Sequence, residues 1–208
     1  MYIPASFREE DIETLHAQVH TYPLGTLVTH GDGGLQASPL PFLMEANVLR
    51  AHMARANPHW KLLAADAECL VIFTGPDAYV TPDWYPSKAV THKVVPTWNY
   101  AAVHVRGRLR VVDEPGWLAQ QIADLTATHE AVRPAPWRPA DAPADFIAAQ
   151  MQAVIGLEIA ITQIEGKWKM GQNREAADRE GVVRGMGDPA DPHHDPVVAV
   201  LVERCSRI

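Results

Sequence analysis

The stretch YAAVHVRGRLRVV, residues 100–112, bears most directly on the fold class. Apolar and basic side chains alternate along it, with Val103, Val105 and Leu109 set against Arg106 and Arg108. A period of two places successive side chains on opposite faces of a strand. The stretch therefore predicts a long, half-buried strand whose arginines lie on the solvent side.

The elements around this strand predict a mainly β protein with peripheral helices. They run in the order helix, strands, short helix, strands, helices, strand and helical tail, without the regular strand–helix alternation of a parallel sheet. An antiparallel barrel fits best, in one domain covering residues 1–208 with a helical tail from about residue 173. The more specific predictions are a helix at residues 8–20 capped by Ser6, a tight turn at residues 31–34, an edge or irregular strand Leu35–Met44 containing two prolines, a short helix at residues 59–65 and a long ordered loop at residues 75–98.

Composition limits the class of function. The 208 residues carry a formal net charge of −7, so a basic surface that grips DNA is not expected, and no segment resembles a helix-turn-helix. The two cysteines, Cys69 and Cys205, form no CxxC pair and suit a reducing cytoplasm. No basic, apolar leader opens the chain, and no run approaches the length of a membrane span. We therefore expect a cytoplasmic protein.

The segment from His52 to Lys61 is a candidate anion site. A strand brings Arg55 beside a helix that Asn57 caps and Pro58 begins. Free amides, the helix dipole and a guanidinium would then converge, as phosphate binding requires, and His52 could add a donor. The simpler alternative is an N-capped helix with a solvated arginine.

Two further stretches could complete a site. Large aromatic residues lie in and beside a proline-rich loop, from Thr81 to Tyr100, where they could stack on a flat heterocycle, seal a subunit contact or pack the loop. The segment Gly166–Arg174 ends a strand in polar side chains, although Asn173 could be a plain helix cap. The cluster His193-His194-Asp195 lacks a second ligand pair at a recognisable spacing, so no metal site is predicted.

Together these motifs resemble the PaiB family, the FMN-binding negative transcriptional regulators. The matching stretches are HMARANPHW (52–60), VIFTGP (71–76), VPTWNY (95–100) with AVH (102–104), IEGKWK (164–169) with QN (172–173), and the opening MYIPASF. The order is the same over nearly the whole chain. The departure is Met170-Gly171, where the family pattern has Leu-Ser.

The resemblance implies an antiparallel, Greek-key type FMN-binding split β-barrel. It also implies a homodimer with FMN at the subunit interface. His52, Arg55 and Asn57 would hold the phosphate, and Ala37 and Ser38 would face the isoalloxazine ring. The remaining residues would close the site, from the same or the other subunit: Trp98, Asn99, Tyr100, Gln172 and Asn173. We expect the aromatic loop around Trp84 and Trp98 to take part in the dimer contact.

Two other functions remain open at this point. An FMN-dependent oxidoreductase using a reduced nicotinamide would need no recognisable catalytic side chain, because flavin carries the chemistry. A haem-binding split barrel would use a histidine such as His52 or His104 as its iron ligand.

Overall fold

The computed structural model describes residues 1–31, 33–64 and 66–206. Its strands are β1 (Arg8–Glu9), β2 (Leu24–Gly31), β3 (Gly34–Pro41), β4 (Leu43–Glu45), β5 (Val48–Ala54), β6 (Ala67–Val80), β7 (Thr97–Val112) and β8 (Val154–Lys169). Its α-helices are α1 (Ile12–Thr21), α2 (Ser87–Thr91), α3 (Pro115–Glu130), α4 (Ala144–Gln152), α5 (Ala176–Gly187) and α6 (Pro196–Cys205), and short 3₁₀ turns cover Ala5–Phe7, Pro58–Leu62, Pro82–Trp84 and Pro139–Asp141. Asp32, in the predicted turn, and Ala65, at the end of the predicted short helix, lie outside the described residues.

The strands form one antiparallel sheet in the order β3-β2-β6-β7-β8-β5-β4, with β1 paired to β8. The predicted alternation in β7 is confirmed, because Val103, Val105 and Leu109 are buried while Arg108 and Arg110 are exposed. The strand with two prolines, β3, stands at one end of the sheet order, where missing amide donors are tolerated. Its edge position is as predicted, but the strand ends at Pro41, and Leu43–Glu45 forms the separate strand β4 beside β5.

The chain consists of two compact units. The first comprises residues 1–15, 74–103 and 165–208, and the second comprises residues 16–73 and 104–164. In the second unit, Phe42 and Phe73 meet edge to face with ring centroids 5.6 Å apart. Fully buried Leu27, Leu49 and Ile155 belong to the same unit. Large apolar side chains from several strands therefore supply the core of the second unit.

In the first unit, the C-terminal helices α5 and α6 pack against each other. Trp84 lies on Gly181 and Gly185 of α5, where an added Cβ would come within 2.0 Å and 2.3 Å of its atoms. Its indole nitrogen donates to Asp191 at 2.9 Å. Pro196 begins α6 and Asp195 caps it, accepting from the amide of Val198 at 2.9 Å. The predicted helical tail is therefore present and anchored.

Other predicted elements also differ in their bounds. The short helix predicted at residues 59–65 is a 3₁₀ turn at Pro58–Leu62. The first helix begins at Ile12, not at residue 8, because Asp11 rather than Ser6 accepts from the amide of Thr14, at 3.1 Å, and Arg8–Glu9 pairs with β8. The predicted loop at residues 75–98 is partly regular, since β6 continues to Val80 through Pro76. The pairing of β2 with β6 covers residues 69–72, so Pro76 lies beyond that stretch and its missing amide removes no hydrogen bond to β2.

Candidate functional site

In the second unit, the imidazole of His59 holds a buried polar cluster together. Its Nε2 lies 2.8 Å from the hydroxyl of Thr29, and its Nδ1 lies 2.8 Å from the hydroxyl of Ser38. The side-chain amide of Asn57 donates to Ser38 at 3.4 Å, while its oxygen caps the 3₁₀ turn by accepting from the amide of His59 at 3.0 Å. His59 is 2 % exposed. We name these four residues, Thr29, Ser38, Asn57 and His59, the imidazole cluster.

The structure thus brings together Ser38 and Asn57, which the sequence analysis assigned from two separate stretches. Ala37 lies next to Ser38 but is exposed, and successive strand residues point to opposite faces. Only one of the pair can therefore direct its side chain to a given ligand. His59 was overlooked as a site residue, although its place two positions after Asn57 was visible in the sequence.

Arg55 is engaged by protein groups. Its guanidinium pairs with both carboxylate oxygens of Asp113, at 2.9 and 2.5 Å, and donates to the carbonyls of Gln152 and Val154, each at 3.0 Å. The hydrogen bonds to Asp113 raise the pKa of Arg55 and lower the pKa of Asp113. The Asp113 side chain is 60 % exposed, so solvent screens the pair and a stronger anion could exchange with it.

His52 lies on β5 opposite Gly156 of β8. Among the residues that the structure describes, no group hydrogen-bonds to its buried Nδ1. Burial lowers the pKa of His52, and burial also lowers the pKa of His59. Both rings therefore favour the neutral form, in which one nitrogen donates and the other accepts.

In the first unit, a cavity of about 150 Å³ lies at the end of β8. Its lining includes Asn99 and Asn173 from the predicted set, together with Lys169, Arg174 and Arg179. Asn99 is 3 % exposed. The basic residues were overlooked in the sequence, although Lys169 and Arg174 stand within the stretch Gly166–Arg174. We name this space the cationic cavity.

Three other predicted residues have different surroundings within the first unit. Trp98 is 54 % exposed and meets Tyr79 edge to face at 6.0 Å. The ring of Tyr100 lies under the ammonium of Lys167, at 5.2 Å. Gln172 closes the end of β8, accepting from the amide of Met170 at 2.8 Å and donating to the carbonyl of Trp168 at 2.7 Å.

The departure at Gly171 has a backbone reason. Its φ is +80°, in the left-handed region that serine rarely adopts. Glycine therefore suits this turn better than the serine of the family pattern.

Trp84 is only 8 % exposed and is covered by its own chain. Of the two tryptophans expected in the dimer contact, only Trp98 therefore exposes a large apolar surface that a partner could cover.

Among the described residues, no helix is long and apolar enough to cross a membrane. Within those same ranges, no group of three His, Cys, Asp or Glu side chains is placed to hold a metal ion.

Comparison with known proteins identifies the family. Residues 1–163 match the family described as "Putative FMN-binding domain". The chain is similar to an uncharacterised protein of Emericella nidulans, with 34% identity over an alignment of 226 positions. The alignment covers 89% of this chain and 90% of the relative. It is also similar to the protease synthase and sporulation protein PAI 2 of Bacillus subtilis, with 26% identity over 211 residues, covering 100% of this chain and 99% of the relative. The predicted resemblance to the PaiB family is therefore confirmed.

Among solved structures, the FAD and haem binding protein from Mycobacterium smegmatis has the same fold. The TM-score is 0.62 at 22% identity, with 86% of this chain and 80% of that structure covered. The predicted split-barrel fold class is confirmed by this likeness and by the antiparallel sheet of eight strands. The chain belongs to the family of FMN-binding domains, whose cofactor is FMN.

Proposed function

We propose that this protein is an FMN-binding homodimer of the PaiB type. In this proposal it acts in negative regulation of transcription without binding DNA by itself. The observation that carries the FMN assignment is the imidazole cluster. Ser38 and Asn57 come from separate stretches of the matched family region and meet through hydrogen bonds in one buried place. Flavin supplies the redox chemistry when bound, so the protein has to bind, orient and shield it.

The residues present fit a flavin. His59 fixes the hydroxyl of Ser38, and the side-chain amide of Asn57 retains a donor hydrogen beyond its contact with Ser38. The buried Nδ1 of His52, which has no hydrogen-bond partner within the described ranges, supplies a further polar atom. In the proposal, Ser38 faces the isoalloxazine, and His52, Arg55 and Asn57 serve the phosphate. Arg55 does so by exchanging Asp113 for the more highly charged phosphate.

This exchange gives the proposal a sharp test. Arg55→Ala should weaken FMN binding about ten- to a hundredfold, which corresponds to the loss of a charge-assisted contact. Asp113→Asn should strengthen FMN binding, because it removes the group that competes for the guanidinium. Glu114→Gln is the matched control, since it deletes the same charge at the neighbouring exposed residue. Affinity is measured by quenching of FMN fluorescence in folded protein.

Equal affinities in Arg55→Ala and the parent would remove Arg55 from the phosphate site. Equal effects of Asp113→Asn and Glu114→Gln would show that only the general field changed. Either outcome would still be compatible with FMN binding. The family assignment is therefore tested separately, by titrating the parent protein with FMN.

The surroundings of the β7 arginines support the part of the proposal that excludes direct DNA binding. Arg110 pairs with Glu158 at 2.9 Å, and Arg108 donates to the carbonyl of Asp66 at 3.4 Å. A net charge of −7 also opposes the approach of the protein to the DNA phosphates. Fluorescence anisotropy at low salt should show no saturable binding of duplex DNA. Salt-sensitive, submicromolar binding by the pure dimer would overturn this part of the proposal.

A further inference from the structure

The cationic cavity gathers three positive side chains around one small space in the first unit. Lys169, Arg174 and Arg179 line it, and among the described residues that line it there is no Asp or Glu. In the part of the chain that the structure describes, none of the three forms an ion pair. Three like charges without a counter-charge repel one another, and in a protein of net charge −7 such a concentration is unexpected.

The cations are held in place by neutral groups. The ammonium of Lys169 donates to the hydroxyl of Thr97 at 2.6 Å and to the carbonyl of Trp98. The guanidinium of Arg174 lies over the ring of Tyr85, with its carbon 4.2 Å from the ring centroid. Arg179 donates to the carbonyl of Arg174 at 2.5 Å, and its buried Nε has no partner among the described residues. These contacts fix the positions of the charges without neutralising them.

The surroundings increase the demand for an anion. Burial, together with the charges of Lys167 and Arg174, lowers the pKa of the Lys169 ammonium, which means that these surroundings destabilise its charged form. Asp178, whose charge acts on Tyr85, is 4 % exposed and already accepts from the amide and the hydroxyl of Ser87 at 3.1 and 2.7 Å. Asp178 is therefore already hydrogen-bonded to Ser87, and this pair is separate from the lining of the cationic cavity.

The geometry points to a phosphate group as the occupant. We propose that the cationic cavity is a phosphate-binding subsite, formed by Lys169 and Arg174 with the amides of Asn99 and Asn173 as neutral donors. The planar fork of arginine suits two phosphate oxygens, and lysine supplies a compact charge. At about 150 Å³, the cavity is below the roughly 300–1,000 Å³ of pockets that enclose a whole drug-sized ligand, so it suits one phosphate group. The group comes either from a separate phosphorylated small molecule or from FMN, and the second source would replace the proposed assignment of the FMN phosphate to Arg55.

The test uses the full chain freed of flavin and inorganic phosphate as the probe. Calorimetric titration should show saturable binding that is weakened at least tenfold in the double variant Lys169→Gln/Arg174→Gln. Arg184→Gln is the matched control, because it deletes a charge from an exposed position of α5 outside the cavity. Arg174→Lys, which keeps the charge but loses the fork, should give an intermediate affinity and guards against a folding defect in the double variant.

Comparison of FMN with riboflavin identifies the source of the phosphate. If FMN supplies it, the double variant weakens FMN but not riboflavin, and inorganic phosphate competes with FMN. Because FMN carries one phosphate, this result would overturn the assignment of that phosphate to Arg55. If a separate molecule supplies it, FMN affinity is unchanged and phosphate binds beside FMN. Absence of saturable phosphate binding in the parent, or equal losses in the double variant and Arg184→Gln, would overturn the subsite. Because the phosphate titration needs no flavin, such a failure is distinguishable from failure of FMN binding.

Discussion

Replacing His59 with phenylalanine should destabilise the protein through the two hydroxyls that it leaves behind. The imidazole is 2 % exposed, and the hydroxyl-bearing residues Thr29 and Ser38 are 4 % and 8 % exposed. Phenylalanine fills the space of the ring but offers no hydrogen bond. A buried polar group that loses its partner costs about 1–3 kcal/mol, and Ser38 keeps a long contact with Asn57. The expected loss in the free energy of unfolding is therefore about 2–4 kcal/mol.

Urea unfolding followed by circular dichroism measures this loss, and a double-mutant cycle shows its cause. Thr29→Val removes one abandoned hydroxyl with almost no change of shape. The pair Thr29→Val/His59→Phe should be less destabilised than the sum of the single variants, by about 1 kcal/mol or more. His20→Phe, at an exposed position of α1, should stay within about 0.5 kcal/mol of the parent. Strict additivity in the cycle would refute the hydrogen-bonded role of His59.

Three further outcomes are expected. Because burial lowers the folded-state pKa of His52, the unfolded chain takes up protons first as pH falls below about 6.5, and the free energy of unfolding decreases. His52→Gln should reduce this decrease in urea unfolding between about pH 5 and 7.5, and an unchanged slope would contradict it. Burial raises the pKa of the Cys69 thiol to about 12, so a thiol reagent should label Cys69 only upon unfolding, and rapid labelling of the native protein would contradict this. Trp98→Ser should shift the proposed dimer toward monomer in light scattering at micromolar concentration, and an unaltered dimer would exclude Trp98 from the contact.

Much of the fold could be predicted from local sequence because the signals were strong and repeated. The half-buried strand β7 was predicted from alternating residues, and the edge position of β3 was predicted from two prolines at a spacing of two. Each pattern spans residues close in sequence, and the structure confirms the alternation and the edge position. The start of the first helix was wrong because Ser6 and Asp11 both have capping side chains. The pairing of Arg8–Glu9 with β8, which decides between them, is a contact with residues far along the chain.

The candidate site shows the same division between local and distant information. The motif around Arg55 and Asn57 could be recognised in the sequence, and the turn that Asn57 caps was predicted as a short helix. The partner of Arg55, Asp113, lies 58 residues away and carries no motif of its own. Lys169 and Arg174 become a cationic cavity only when Arg179 of α5 joins them. Spacing within one segment does not contain that information.

FMN binding is tested most directly by titrating the flavin-free protein with FMN, followed by absorption and by quenching of flavin fluorescence. We expect saturable binding at micromolar concentration or below, with flavin absorption bands that remain with the protein after gel filtration. We also expect weaker binding by Ser38→Ala, because the imidazole cluster orients that hydroxyl. A folded protein that leaves FMN fluorescence unchanged, or that purifies with the absorption of haem and no affinity for FMN, would contradict the assignment of FMN as the cofactor.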